Sequence, residues 1–345
     1  TGQVRGVTIE GNTILANLGV GLGITARNGG ATQVAIEVRD NEITTNLSHG
    51  IHALVANDAD LVVDLTRNLV DANLGDGVLL EESYNAFETA LRQMGGTWSR
   101  NTVSNNLGSG VTSGAHTVGL VIGLEGVDPV EGNSLGNTII DNGLDGIEVN
   151  GFGDAIIANN IISGNGVLAV GGTTQNGTGI DINWVDPAEP FTFVGKQYVL
   201  RANTIENNRG DGIEIHQGGV LVGSTRLELV AEANEVRLND GRGVDILNQD
   251  SGESFIRFGD GTAANRNQID NNGLEGFYVV NTASAIQNQT DLSDVDLDDT
   301  GAVTATPNMV LVLDDNSVES NNLTGSFIAG GLVLRVGTSN SPTAF

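Results

Sequence analysis

The chain has 345 residues, no cysteine and a formal net charge of −28 at pH 7, from 43 acidic side chains against 15 lysines and arginines. A surface this negative repels nucleic acid and anionic membranes, so neither is an expected partner, and no apolar run is long enough to be inserted across a bilayer. The lack of cysteine excludes a disulfide framework and a thiolate metal site.

One spaced pattern, Asn-x-Ile/Val-x-x-Asn-x-x-x-Gly, recurs ten times along the chain. Its first asparagines are Asn12, Asn41, Asn68, Asn101, Asn137, Asn160, Asn203, Asn234, Asn267 and Asn316. Its second asparagines are Asn17, Asn46, Asn73, Asn106, Asn142, Asn165, Asn208, Asn239, Asn272 and Asn321. Nine copies reach a glycine four residues later, and in the Asn160 copy this glycine is delayed to Gly179. Repetition at this spacing indicates a solenoid, in which each unit buries its apolar side only against its neighbours.

Each repeat predicts three short strands. Apolar residues alternate after the glycine, as in Gly146-Ile147-Glu148-Val149, and a second β-prone stretch precedes most motifs, as at 226–230. With a rung spacing of about 4.8 Å, ten coils make a rod on the order of 50 Å long. Glycine and asparagine are expected at the corners because both tolerate positive φ. Stacked asparagines are also expected to hydrogen-bond from rung to rung, as amide ladders do.

This repeat resembles the right-handed parallel β-helix repeat of the pectate-lyase-like superfamily, over roughly residues 4–336. The resemblance implies an all-β fold, a single-stranded right-handed parallel β-helix (β-solenoid) of about ten or more coils. Because the repeats leave no gap for a boundary, residues 1–345 are expected to form one domain. Loop excursions are expected near 83–96, 123–134, 166–178, 184–198 and 282–307. The superfamily includes lyases, hydrolases, epimerases, adhesins and inert scaffolds, so the resemblance implies no single activity.

Aligning the repeats by their glycines predicts a column of acidic side chains on one outer face. The position two residues after the glycine holds four carboxylates in successive repeats: Glu148, Asp181, Glu214 and Asp245. Asp145 and Asp211 lie just before their glycines, and His216 follows Glu214 by two residues. Like charges this close raise each other's pKa or recruit a cation, and calcium suits oxygen ligands in flexible geometry.

Three interpretations of this column remain open. The first is a solvated acidic face with no further role. The second is a site for Ca²⁺ or another divalent ion, held by Glu148, Asp181, Glu214 and Asp245. The third is a catalytic site built from Asp181, Glu214, Asp245 and His216, with one carboxyl as acid and another as base or nucleophile. The carboxylates beside His216 are expected to keep it protonated to higher pH.

An aromatic-rich insertion follows Asp181 and could line the acidic column. Trp184, Phe191 and Tyr198 are candidate ligand-binding residues, because aromatic faces beside carboxylates suit a sugar ring. The alternative is that these rings pack beneath their own loop as a small core.

Motifs of the familiar enzymes of the superfamily are missing. No Gly-His-Gly or Arg-Ile-Lys stretch occurs, as polygalacturonase-like enzymes carry, and Asp128-Pro129 lacks the histidine that follows in alginate-epimerase-like proteins. Whether the chain is an enzyme therefore stays uncertain, with the balance against it.

Self-association is the other candidate role, because a β-solenoid exposes strand edges at its ends. The sequence therefore favours an extracellular or cell-surface protein of bacterial type. It would be structural or adhesive and would form a homo-oligomer through its ends, as a fibre or as part of a larger surface protein. The alternative is a carbohydrate-active enzyme or glycan-binding module that uses the acidic column on a polysaccharide.

Overall fold

A computed structural model describes most of the chain. The described residues are 4–27, 32–56, 59–83, 94–114, 117–129, 132–150, 153–166, 176–185, 196–218, 226–248, 253–281, 309–323, 326–330 and 333–336. Within them lie 31 strands, numbered along the chain, and one 3-10 turn at Ala263–Asn265. No helix among the described residues is long and apolar enough to cross a bilayer.

The strands form three parallel sheets. Sheet A contains β1 (Val4–Glu10), β4 (Thr32–Arg39), β7 (Ala59–Thr66), β10 (Met94–Ser99), β13 (Thr117–Ile122), β16 (Gly153–Ala158), β19 (Lys196–Arg201), β22 (Arg226–Glu232), β25 (Glu253–Phe258), β28 (Met309–Leu313) and β31 (Val333–Val336). Sheet B contains β2 (Thr13–Leu15), β5 (Glu42–Thr44), β8 (Leu69–Asp71), β11 (Thr102–Ser104), β14 (Thr138–Ile140), β17 (Ile161–Ser163), β20 (Thr204–Glu206), β23 (Glu235–Arg237), β26 (Gln268–Asp270) and β29 (Ser317–Glu319). Sheet C contains β3 (Leu22–Ala26), β6 (Ile51–Ala56), β9 (Val78–Ser83), β12 (Val111–Ser113), β15 (Ile147–Asn150), β18 (Ile180–Val185), β21 (Ile213–Gly218), β24 (Val244–Asn248), β27 (Phe277–Asn281) and β30 (Ser326–Gly330).

Each strand from β1 to β28 pairs with the strand three places further along the chain, so one coil consists of three strands. The predicted three-stranded coil and parallel β-helix are therefore confirmed. The inward side chains of all three sheets form one continuous apolar core that runs from Ile24 to Leu313. Each coil thus buries its apolar face against the coils above and below it.

Two asparagine ladders run along the coil and border the short strands of sheet B. In the first, both the backbone N–H and Nδ2 of Asn137 donate to Oδ1 of Asn160, at 2.9 and 3.0 Å. The same Nδ2 also donates to the Trp98 carbonyl of an earlier coil at 3.0 Å. The second ladder repeats this arrangement, as between Asn165 and Asn208. The predicted amide stacking is confirmed, and it satisfies backbone groups that the corners would otherwise leave unpaired.

The expected reason for asparagine at the corners is wrong. The residue with positive φ is the one immediately before most ladder asparagines, with Arg266 before Asn267 an exception at φ −64°. Its type varies: Thr45 has φ 55°, Ala202 54° and Leu238 55°. The ladder asparagines are therefore selected for their hydrogen bonds. The residue before most ladder asparagines adopts the left-handed backbone conformation. The hydrogen bonds of the ladder offset the modest energetic cost of this conformation.

The corner glycines are also explained by space and not by positive φ. A Cβ at Gly146 would lie 2.4 Å from Cγ2 of Ile162 and 2.6 Å from the carbonyl oxygen of Gly179. Neighbouring coils approach too closely at this corner for any side chain. The glycine two coils on, Gly212, has the same surroundings.

The loop excursions are shorter than predicted where the structure describes their edges. Met94 to Gly96 belong to β10, while Trp184 and Val185 extend β18. The excursion at 123–134 is described except for 130–131. Within it, Asp128 forms an ion pair of 2.6 Å with Arg100. Most of 166–178 and all of 282–307 lie outside the described residues.

Candidate functional site

The outer column predicted from the glycine alignment is confirmed by the strand register of sheet C. Glu148 on β15 pairs with Asp181 on β18, which pairs with Glu214 on β21. Glu214 pairs in turn with Asp245 on β24, and Asp245 with Tyr278 on β27. The alternation of a strand turns these side chains outward, since Ile147, Ile180, Ile213 and their equivalents occupy the core.

A second column borders the first on the other side of the corner glycines. It holds Asp145, Thr178, Asp211, Arg242 and Glu275. The Thr178 N–H donates to Oδ1 of Asp145 at 2.7 Å, and the Arg242 N–H donates to Oδ1 of Asp211. We call the six carboxyls that the two columns bring together the acidic strip: Asp145, Glu148, Asp181, Asp211, Glu214 and Asp245.

Most carboxyls of the outer column have a polar partner two residues further along the same strand. Asn150 Nδ2 donates to Glu148 at 2.7 Å, and Asn183 Nδ2 donates to Asp181 at 2.6 Å. His216 Nε2 lies 2.9 Å from Oε1 of Glu214. These side chains share the outward face because the strand repeats every two residues. Each partner fixes the direction in which its carboxyl points.

Three carboxyls of the acidic strip hold their protons to unusually high pH. Burial, together with repulsion from Glu148 and Glu214, raises the pKa of Asp145 to about 7. Burial and repulsion from Glu214 likewise raise the pKa of Asp181 to about 7. Burial raises the pKa of Asp211 to about 6. Burial of this kind distinguishes these three carboxyls from those of a fully solvated acidic face, where water would screen such effects.

Glu214 behaves in the opposite way. Its hydrogen bond with His216 holds the pKa of this carboxyl below its usual value, and the Thr178 hydroxyl donates to its Oε2 at 3.0 Å. The same hydrogen bond raises the pKa of His216. The prediction that carboxylates keep His216 protonated to higher pH is confirmed.

Arg242 is the cation of the strip that sequence reasoning did not single out. Its Nη1 contacts Oδ2 of Asp245, its Nε lies 3.3 Å from Glu275, and its guanidinium stacks 3.7 Å from the ring centre of Tyr278. Burial raises the pKa of Asp245, and Arg242 opposes that shift. Its signal in the sequence was its place before Gly243, in the position that Asp145 and Asp211 occupy in their repeats.

The four side chains predicted to hold a cation fall into two clusters. Ligand atoms of Asp145, Glu148 and Asp181 lie within 4.8 Å of one another, and so do those of Glu214, His216 and Asp245. The first cluster offers only oxygen, as Ca²⁺ requires. Two of its carboxyls have pKa values of about 7, raised by burial and by repulsion from neighbouring carboxylates, so a cation would compete with protons for them.

Of the aromatic residues predicted to line the strip, Tyr198 lies elsewhere in the structure. Tyr198 lies in β19 of sheet A and is fully buried in the core, so it cannot contact a ligand on sheet C. Its alternation places it inward, in register with Ala155 and Leu229. Trp184 extends β18 and pairs with Gln217, while Phe191 lies outside the described residues. Tyr278, which follows Asp245 in the outer column, is a described aromatic side chain that the structure brings to the site, against Arg242.

Comparison with known proteins identifies a family model that matches the chain. Residues 95–295, more than half of the chain, match the family model described as a right handed beta helix region. Among solved structures, the periplasmic alginate epimerase AlgG is 13% identical with a TM-score of 0.37, covering 92% of this chain and 77% of that chain. The Azotobacter vinelandii mannuronan C-5 epimerase AlgE4 A-module is 13% identical with a TM-score of 0.37, covering 96% and 91%. No curated protein matches the chain.

Proposed function

Because the chain belongs to the right-handed β-helix family, we propose that it works through its long outer surface, binding a linear polysaccharide along the acidic strip and performing acid–base chemistry on it. One observation supports this most directly. Asp181 and Glu214 occupy paired positions on adjacent strands, yet their pKa values are shifted in opposite directions. Two neighbouring carboxyls with separated pKa values are the usual arrangement for a general acid beside a general base.

Each carboxyl has a stated role in this proposal. Asp181, with a pKa of about 7, is substantially protonated near neutral pH and donates a hydrogen bond or a proton to a sugar oxygen. Glu214 stays ionised through its bond to His216 and accepts a proton or stabilises positive charge at the sugar. Asp145, with its proton also retained, is a further donor to sugar hydroxyls.

The charge of the chain favours some polysaccharides over others. A net charge of −28 repels polyuronates, so neutral glycan backbones are the expected ligands. Partial protonation of Asp145 and Asp181 lowers the negative charge at the centre of the strip. A neutral glycan can therefore lie there without bringing further charge into a crowded acidic surface.

The test is a panel of neutral and acidic polysaccharides incubated with the chain and followed by product analysis. Asp181→Asn and Glu214→Gln should each lower turnover by about 10²- to 10⁴-fold, the usual contribution of a general acid or base. Asp76→Asn is the matched control. Asp76 accepts the Ser109 N–H at 2.9 Å as Asp145 accepts that of Thr178, but it lies beside His49 and away from the strip. Absence of any bound or altered polysaccharide would refute the proposal.

A second proposed function is structural, with copies of the chain associating end to end at a cell surface. The direction of the asparagine ladders favours it. Each asparagine donates toward the following coil and accepts from the preceding one, as Asn203 does between Asn160 and Asn234. A coil therefore offers acceptors on one face and donors on the other, so identical copies could extend the ladders only head to tail. Light scattering at increasing concentration tests this, and a persistent monomer would refute it.

Both proposals place the protein outside the cytoplasm. The acidic composition, the richness in asparagine, glycine and threonine, and the long repeats support this location. Fractionation of the producing cells would test it directly.

A further inference from the structure

The outer face of β21 and β24 brings together three side chains of mixed chemistry. Glu214 and His216 stand two residues apart on β21, and Asp245 lies opposite Glu214 on β24. One ligand atom from each lies within 4.8 Å of the other two. This spacing allows all three atoms to contact a single small ion after minor side-chain rotation.

The carboxylate of Asp245 is incompletely satisfied. The residue is 7% exposed, and its Oδ2 contacts Arg242, while its buried Oδ1 has no hydrogen-bond partner. A buried carboxylate oxygen without a donor destabilises the fold, and such groups in folded proteins call for an explanation. A cation bound at Oδ1 would remove this cost.

Arg242 leaves that oxygen available. By holding Oδ2 it fixes the orientation of the carboxyl, as outer partners of metal ligands commonly do. Oδ1 is the oxygen of this carboxyl that lacks a hydrogen-bond partner. The stacking of Arg242 on Tyr278 in turn restrains the guanidinium.

The kind of ion follows from the ligand atoms. An imidazole nitrogen with two carboxylate oxygens suits Zn²⁺, Co²⁺ or Mn²⁺, whereas Ca²⁺ and Mg²⁺ prefer oxygen alone. We propose that Glu214, His216 and Asp245 form a binding site for a divalent transition-metal ion. The side chain of His216 is 37% exposed and that of Glu214 is 23% exposed. The site is therefore open on one side, where water or an oxygen of a ligand completes the coordination.

The proposal is independent of any action on polysaccharides, since the ion is measured with no glycan present. Co²⁺ is the probe, because its visible absorption reports the number and type of its ligands. The chain, first dialysed against chelator, should bind one equivalent of Co²⁺ with a new visible band. Zn²⁺ should displace it at stoichiometric concentration, and Ca²⁺ should not displace it even in large excess.

Two variants and a control assign the ion to the three residues. His216→Ala and Asp245→Asn should each weaken Co²⁺ binding more than about tenfold, with circular dichroism showing an intact fold. His52→Ala is the control. His52 stands in the same outward column and contacts Glu81 at 2.8 Å, but belongs to neither three-residue cluster found among the described residues. The His52→Ala variant should bind Co²⁺ with the same affinity as the unaltered chain.

Three results would overturn the proposal. The first is no Co²⁺ band in the unaltered chain, and the second is equal displacement by Ca²⁺ and Zn²⁺. The third is unchanged Co²⁺ affinity after either substitution, so a folding failure of His216→Ala leaves the decision to Asp245→Asn. Asparagine matches aspartate in size and keeps an oxygen toward Arg242. The Co²⁺ measurements contain no polysaccharide, so any of these results is distinguished from a failure of the polysaccharide panel.

Discussion

Asp181 on β18 is paired in register with Glu214 on β21, and the two carboxyls respond oppositely to their surroundings. Burial and the charge of Glu214 raise the pKa of Asp181 to about 7, while the hydrogen bond from His216 lowers the pKa of Glu214. Part of the difference comes from the position two residues further along each strand. β18 places an amide there, Asn183, and β21 places an imidazole.

Thermal stability should fall as pH rises through neutrality. The pKa values of Asp145 and Asp181 rise on folding from 3.8 to about 7, so the folded chain retains protons that the unfolded chain releases. The contribution of both groups to the free energy of unfolding is then greatest below pH 4 and is lost as pH rises toward 7. Melting temperatures measured from pH 5 to pH 8.5 should decrease across this range.

Asp145→Asn should reduce that pH dependence. Asparagine keeps an oxygen for the Thr178 N–H but removes the charge, so we expect a gain of about 1 kcal/mol or more at pH 8.5 and little change at pH 5. Calorimetry at both pH values measures it. Asp76→Asn, which changes the equivalent position beside His49, should produce no such gain. An identical gain in both variants would contradict the burial explanation.

Asn208→Ala should destabilise the coil strongly. Oδ1 of Asn208 accepts from both the N–H and Nδ2 of Asn165, and its Nδ2 donates to Asn239. Alanine leaves these buried groups unpaired at about 1–3 kcal/mol each, so denaturant unfolding should show a loss of several kcal/mol.

The neighbouring Asn207 provides a control for this loss. It is exposed, has φ 58° and belongs to neither ladder, so Asn207→Gly should change stability by less than about 1 kcal/mol. Equal losses in the two variants would mean that the ladder contributes little.

Gly212→Ala should destabilise the corner next to the strip. The new Cβ would lie 2.3 Å from Cγ1 of Val236 and 2.7 Å from the Gly243 carbonyl, and overpacking of this kind costs about 1–3 kcal/mol or more. Gly23→Ala is the matched control, since nothing lies within 4 Å of its Cβ position. Denaturation midpoints should fall for the first variant alone.

Arg242→Met should expose the charge of Asp245 as an unpaired buried group. Removing one partner of a buried ion pair typically costs about 3–5 kcal/mol, and the partial exposure of Arg242 places the expected loss at the lower end. The double variant Arg242→Met, Asp245→Asn should recover most of that stability in chemical denaturation. Failure to recover it would mean that packing on Tyr278, and not charge, dominates the role of Arg242.

The coil and the register of its outer column could be predicted because both depend on spacing. A glycine at a constant distance from two asparagines aligns every repeat, and the alignment places Glu148, Asp181, Glu214 and Asp245 opposite one another as the structure does. The ladders follow from the same spacing. Each residue pairs with the residue at the same position of the next repeat. The alignment of the repeats therefore predicts these contacts directly.

The remaining features of the candidate site depend on side-chain contacts that the spacing of the repeats does not describe. Tyr198 was expected beside the strip because it ends an aromatic-rich insertion, but β19 starts at Lys196 and its alternation turns Tyr198 into the core. To predict the roles of Thr178 and Arg242, the residues that precede the corner glycines of successive repeats would have had to be aligned as well. The pKa shifts require burial by coils on both sides, which composition alone does not reveal.

The chain length between successive coils varies while the pairing does not. The ladder bond from Asn137 to Asn160 spans 23 residues, and that from Asn267 to Asn316 spans 49, at donor–acceptor distances of 3.0 and 2.9 Å. Foreign peptides can therefore be grafted between β27 and β28 without shifting the rungs on either side. Such a graft would display a new surface on a scaffold whose interior need not be redesigned.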